Sequence, residues 1–189
     1  MAKKVKNTIN VQKKVVTVKE DEIPNYLYTN KKAVIDFSSK ISFYCCEEGD
    51  FNNYLKDEID FIQNFRLLQK LLNEIKSRPL NELNQAHGYR HCHAASSQSL
   101  AQNIIKKLCN QVSGDSETCK EYYSQNFEDE EIHQIGIQGG IRVYGIKHSN
   151  IFSVTFIDWF HTFDYDEAYN QRNLKHYKFE PMKTELESS

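Results

Sequence analysis

The sequence predicts an α+β fold: a two-layer domain in which long helices pack on an antiparallel sheet that ends in a three-stranded meander. Three observations predict it. Apolar residues recur at Leu55, Ile59, Ile62, Phe65, Leu68, Leu72 and Ile75, each three or four positions apart, which is helical spacing. Leu100, Ile104, Leu108 and Val112 repeat that spacing in a second stretch. From Ile132 onward the period shortens. Ile132–Ile137, Ile141–Lys147 and Ile151–Trp159 are β-branched and aromatic runs, separated by hairpin-length breaks at Gly139-Gly140 and His148-Ser149-Asn150.

The elements come in order along the chain. Residues 1–30 read as a basic arm, in which Val15, Val16 and Val18 suit a short edge strand and Pro24 interrupts any continuing structure. A single domain is expected over residues 31–165. It opens with strand-like runs at Ala33–Phe37 and Lys40–Cys45, then a turn at Glu47-Glu48-Gly49-Asp50. Asn52 or Asn53 can cap the first helix, with Asp57, Glu58 and Asp60 at its positive end. Pro79 ends that helix at or before Arg78. A second helix starts near Ser96 or Ser97 and stops at Gly114, and a short third one fits 117–125. A three-residue loop between the last two strands would pair Lys147 with Ile151 and Arg142 with Phe156. That register places Tyr144, Ile146, Phe152, Val154 and Phe156 on the Arg142 face, and Ile141, Val143, Thr155 and Ile157 on the other. Residues 166–189 read as a polar tail lying over the surface.

Composition narrows the class. A chain of 189 residues with 39% hydrophobic content can build one core without disulfide staples. Five cysteines, two of them adjacent at Cys45-Cys46, do not form a pairing framework, so a reducing cytoplasm is expected. No apolar stretch is long enough to span a membrane, and the N-terminus lacks the apolar segment of a secretory signal. Lys outnumbers Arg by 19 to 5, the usage of AT-rich coding in low-GC bacteria and their phages. Residues 1–19 hold six lysines and no acid, which leaves 18 − 26 = −8 for the rest. An acidic body argues against a broad phosphate-gripping surface, though RNA contact through a local site stays open.

Three constellations carry chemistry. His87, His91, Cys92 and His93 crowd one loop, with Cys109 and Cys119 downstream; imidazoles and thiolates suit zinc, but the spacing matches no zinc signature. No metal or cofactor is therefore expected, with a zinc-supported loop at His87–His93 as a lesser alternative. The second constellation is Arg142 and Tyr144 on one strand with Asp158 and His161 at the end of the next. Arginine can hold a phosphate, tyrosine or histidine can move a proton, and a carboxylate can orient the histidine. The same residues also fit a structural Arg142–Asp158 ion pair with aromatic packing. The third is Phe160 to Tyr169, where Phe163, Tyr165 and Tyr169 alternate with Asp164, Asp166 and Glu167, a composition suited to a protein interface.

The order strand, two helices, three antiparallel strands, together with the run GGIRVYGIKHSNIFSVTFIDWFHTF, resembles the RelE/ParE-type toxin superfamily over roughly residues 33–163. The resemblance implies a metal-independent endoribonuclease of a mobile element or phage. Arg142 would clamp the phosphate, Tyr144 would serve as acid or base and His161 would carry the proton. It also implies an antitoxin or ribosome as partner. The alternative expectation is a non-enzymatic, inhibitor-like or antitoxin-like protein of phage or bacterial origin that occupies a host target. Neither expectation involves a membrane.

Overall fold

A computed structural model describes residues 32–80, 83, 92–136, 140–164 and 173–183. The basic arm at 1–30 lies outside the described residues. β1 (Val34–Asp36) is followed by a two-residue hairpin of β2 (Glu47–Glu48) and β3 (Phe51–Asn52), then by α1 (Glu58–Ile75). β4 (His93–Ala94), α2 (Gln98–Ser113) and α3 (Ser116–Asn126) lead into the meander β5 (Ile132–Gly136), β6 (Arg142–His148) and β7 (Ile151–Asp158). The main sheet has the order β1-β7-β6-β5-β4, antiparallel except where β1 lies parallel to β7. The α+β class and the C-terminal meander are therefore as the sequence predicts.

Helix boundaries follow local chemistry. Asp57 caps α1 by accepting from the Asp60 N–H at 2.8 Å. Asn53, one of the two expected caps, has a different task. It is buried, its Oδ1 accepts from the Cys46 N–H at 2.7 Å, and its Nδ2 donates to the Ile157 carbonyl at 2.8 Å. Ser97 caps α2, and Gly114 closes it in the left-handed conformation at φ 71°. Asp115 immediately caps α3, so α2 and α3 form a tight helical hairpin.

α1 packs Leu68, Leu71 and Ile75 on one face of the sheet with Val143, Val154 and Ile157. α2 and α3 pack Ile104, Ile105, Leu108 and Tyr123 on the other with Tyr144, Ile146 and Phe156. The helical layer is thus divided between the two faces. Both faces of β6 and β7 are apolar because both are covered.

Two sequence expectations change here. Lys40–Cys45 is a turn, not a strand. Asp36 accepts from the Ser38 N–H and hydroxyl and so ends β1, and Ser42 and Tyr44 then donate back to Ser39 and Ile41. Ile41 and Cys45 are both fully buried, which is why the run is apolar. The β6–β7 register also differs. The turn is the two residues Ser149-Asn150, so His148 faces Ile151 and Lys147 faces Phe152. Tyr144 pairs with Phe156 while Gly145 pairs with Val154, which leaves Thr155 as one extra residue in β7. This bulge flips the alternation: Phe152 and Val154 face α1, whereas Phe156 faces α2 with Tyr144. Gly145 permits it, since a Cβ there would stand 2.2 Å from the Ser153 carbonyl oxygen.

The polar tail adds to the core through its described part. Phe179 forms a bridge to Leu55, and Leu174, Tyr177 and Phe179 pack against the α1-side core. Glu180 is only 5% exposed, and its Oε2 accepts from the Cys45 N–H at 2.9 Å.

Candidate functional site

β6 and β7 bring Arg142, Tyr144 and Asp158 together, with Asp158 directly opposite Arg142 in the ladder. Phe156, the expected partner of Arg142, is displaced two places by the bulge and the shorter turn. Arg142 is buried, and its side chain lies across Gly136 of β5, where a Cβ would meet its Cδ at 2.4 Å. Its Nη1 donates to the Ile141 carbonyl at 3.0 Å. Burial lowers the guanidinium pKa, while Tyr144, Asp158 and Asp164 oppose that shift.

Tyr144 is 0% exposed. Its ring stacks on Phe156 at 4.6 Å and lies 4.5 Å from Phe163, and its hydroxyl donates to Gln134 Oε1 at 2.6 Å. Burial holds its pKa well above the usual tyrosine value, reinforced by the charges of Asp158 and Asp164.

Asp158 is likewise 0% exposed. Its Oδ1 accepts from the Phe160 N–H at 3.2 Å and its Oδ2 from the Phe163 N–H at 2.8 Å; the Thr162 hydroxyl stands 3.3 Å from Oδ1. The carboxylate therefore holds the turn after β7. Burial raises its pKa, and the N–H groups that face it pull the other way. His161 sits in that turn, half-buried, with φ 59°, a conformation uncommon for a residue with a Cβ. The four residues are neighbours, as the sequence suggests, but three of them are interior groups. Phe160 and Phe163, expected at an interface, are core residues too; positions 165–172 lie outside the described residues.

Of the histidine cluster, His87 and His91 lie outside the described residues. Cys92 is buried and its thiol reaches the Gly136 carbonyl at 3.8 Å, while His93 is exposed on β4 with Nδ1 2.7 Å from the Ala94 carbonyl. Burial raises the Cys92 thiol pKa, away from ready ligation. Cys109 and Cys119 face each other between α2 and α3 as core thiols. Among the described residues no group of three or more His, Cys, Asp or Glu side chains is placed to hold a metal ion.

The sequence model of one family, described as Uncharacterised protein UU032, matches residues 37–187. The chain belongs to that family. The matched span reaches from the end of β1 through the buried Glu180, so the family unit includes the C-terminal segment as well as the meander. No curated protein and no solved structure matches the chain. No helix among the described residues of this UU032-family chain is long and apolar enough to cross a membrane.

One surface feature departs from the sequence reading. Ile59 and Ile62, placed in the helical core stripe by their spacing, are 66% and 52% exposed on α1, and Leu67 is exposed further along the same helix. The buried face is instead carried by Asn64, Leu68, Leu71 and Ile75, flanked by Phe61, Phe65 and Leu72. Half of the eighteen positions of α1 are apolar, so spacing alone cannot say which of two overlapping stripes turns inward.

Proposed function

We propose that this chain works by binding another protein, and that the outer face of α1 is the contact surface. The observation that carries the reading is the exposure of Ile59, Ile62 and Leu67 on one helix whose opposite side is fully engaged with the sheet. Ile59 and Ile62 lie one turn apart on an outward face that also carries Gln63, Arg66 and Lys70, a mixed apolar and polar composition that suits a protein contact, with two cations too few for a phosphate backbone. The burial of Arg142, Tyr144 and Asp158 supports binding over catalysis, because each side chain is already committed to holding the sheet and the turn after it. A host-cell protein is the partner this reading calls for. The double variant Ile59→Asp/Ile62→Asp is expected to melt within a few degrees of the parent, since both positions are exposed, and to lose a co-purifying partner. Retention of the same partner by that variant would refute the surface.

A ribonuclease of the RelE/ParE type is the second reading, and His161 is the observation that favours it. A non-glycine residue held at φ 59° beside a buried carboxylate is a strain of the kind found at functional sites. This reading expects RNA cleavage or growth arrest on overproduction, reduced roughly 10²–10⁴-fold by His161→Ala. Intact RNA in the presence of ribosomes and the parent protein would remove it.

A further inference from the structure

A second surface carries chemistry that the α1 face does not. A cleft of about 320 Å³ opens where three segments distant in sequence meet: the start of β2 with Tyr54 just beyond β3, one side of α2, and the C-terminal segment. Each of the last two brings cations to it: Lys107 comes from α2, and Lys178 and Lys183 from the C-terminal segment. Gln111 lies one turn beyond Lys107 and lines the same wall as Tyr54, so polar side chains border the lysines. The Lys178 ammonium lies 5.5 Å from the centre of the Tyr54 ring.

Three ammonium groups on one cleft is an unusual concentration in a chain of net charge −2. Two of them now rest on side-chain carboxylates: Lys178 on Glu47 at 2.6 Å and Lys107 on Glu48 at 3.1 Å, with Lys107 also donating to the Glu47 carbonyl. All four side chains are substantially exposed, and such pairs are worth only about 0–1 kcal/mol each. An incoming anion with more than one charged oxygen can replace them at little cost. The frame beneath is firm, because the Cys46 N–H is held by Asn53 and the Cys45 N–H by the buried Glu180.

We propose that this cleft binds a small phosphate-bearing molecule, its phosphate oxygens held among Lys107, Lys178 and Lys183. Lysine ammonium groups converging without arginine suit a phosphate met as a point charge from several sides. A lone carboxylate would engage only part of the set.

Pyrophosphate is the probe. Isothermal titration of the full chain at low salt should give saturable one-to-one binding. Lys183→Gln and Lys107→Gln should each weaken it about tenfold, the size of one lost charge-assisted hydrogen bond. Lys70→Gln on α1 should leave it unchanged. If Lys107→Gln lowers stability by freeing Glu48, Lys183→Gln alone decides. The proposal is overturned if the parent shows no saturable heat, or if Lys70→Gln weakens binding as much as Lys183→Gln, which would mean diffuse attraction. It is also overturned if a short oligonucleotide binds more tightly than pyrophosphate and ignores Lys183→Gln.

Discussion

Leu68→Asp is expected to leave the chain largely unfolded, while Leu67→Asp, one residue away, is expected to change stability by no more than about 0.5 kcal/mol. Leu68 is fully buried between α1 and the sheet, among Leu71, Val143 and Val154; Leu67 points outward. Replacing the buried leucine removes apolar contacts worth about 2–5 kcal/mol and places an unpaired carboxylate in an apolar layer. Together these rival the entire stability of about 5–15 kcal/mol that a domain of this kind commands. Urea unfolding followed by circular dichroism checks the pair. Equal loss in both variants would mean that α1 is turned differently about its axis.

Asp158→Asn is the second large effect, expected to cost about 2–3 kcal/mol near neutral pH despite its matched shape, since it disturbs buried hydrogen bonds to a charged group. The carboxylate faces two backbone N–H groups, of Phe160 and Phe163, and the Thr162 hydroxyl. An amide keeps one acceptor oxygen and turns an NH₂ toward a donor, so at least one buried N–H loses its partner at about 1–3 kcal/mol. The pH dependence has a definite sign. Burial raises the folded-state pKa of Asp158 above its unfolded value of about 3.9. The folded state then binds more protons between the two values. The stability linked to Asp158 is therefore fully present below the unfolded pKa and is lost as pH rises through the folded one. The asparagine variant has no such titration, so the gap between parent and variant should be widest in acid and narrow as pH rises. A gap that widens with pH would show that the turn's N–H groups outweigh burial at this carboxylate.

Much of this architecture is written in short-range chemistry. Pro79 after α1, Ser97 and Gly114 around α2, and the alternating runs of the meander each act within a few residues, and each is readable from the sequence. The features that the sequence does not announce are long-range. Thr155 has nothing in its neighbourhood that signals a bulge, because the bulge depends on Gly145 across the ladder letting the Ser153 carbonyl approach. The parallel pairing of β1 with β7 joins segments more than a hundred residues apart. Strand pairing alone groups Arg142, Tyr144 and Asp158, yet their residue types suit a site and a core equally. Only the packing of Tyr144 against both Phe156 and Phe163, and the N–H groups around Asp158, decide where they sit. The cleft lysines are invisible in the sequence for the same reason, since Lys107 lies 71 positions from Lys178 and no motif links them.

The binding role is tested most directly by a photo-reactive amino acid placed at position 62 in the living host, with position 120 on α3 as the control. Both positions are exposed, but only Ile62 belongs to the outward face of α1. Illumination is expected to yield one discrete cross-linked protein from position 62, absent from position 120 and abolished when Ile59→Asp is added. No product at position 62, or the same products from both positions, would contradict the account.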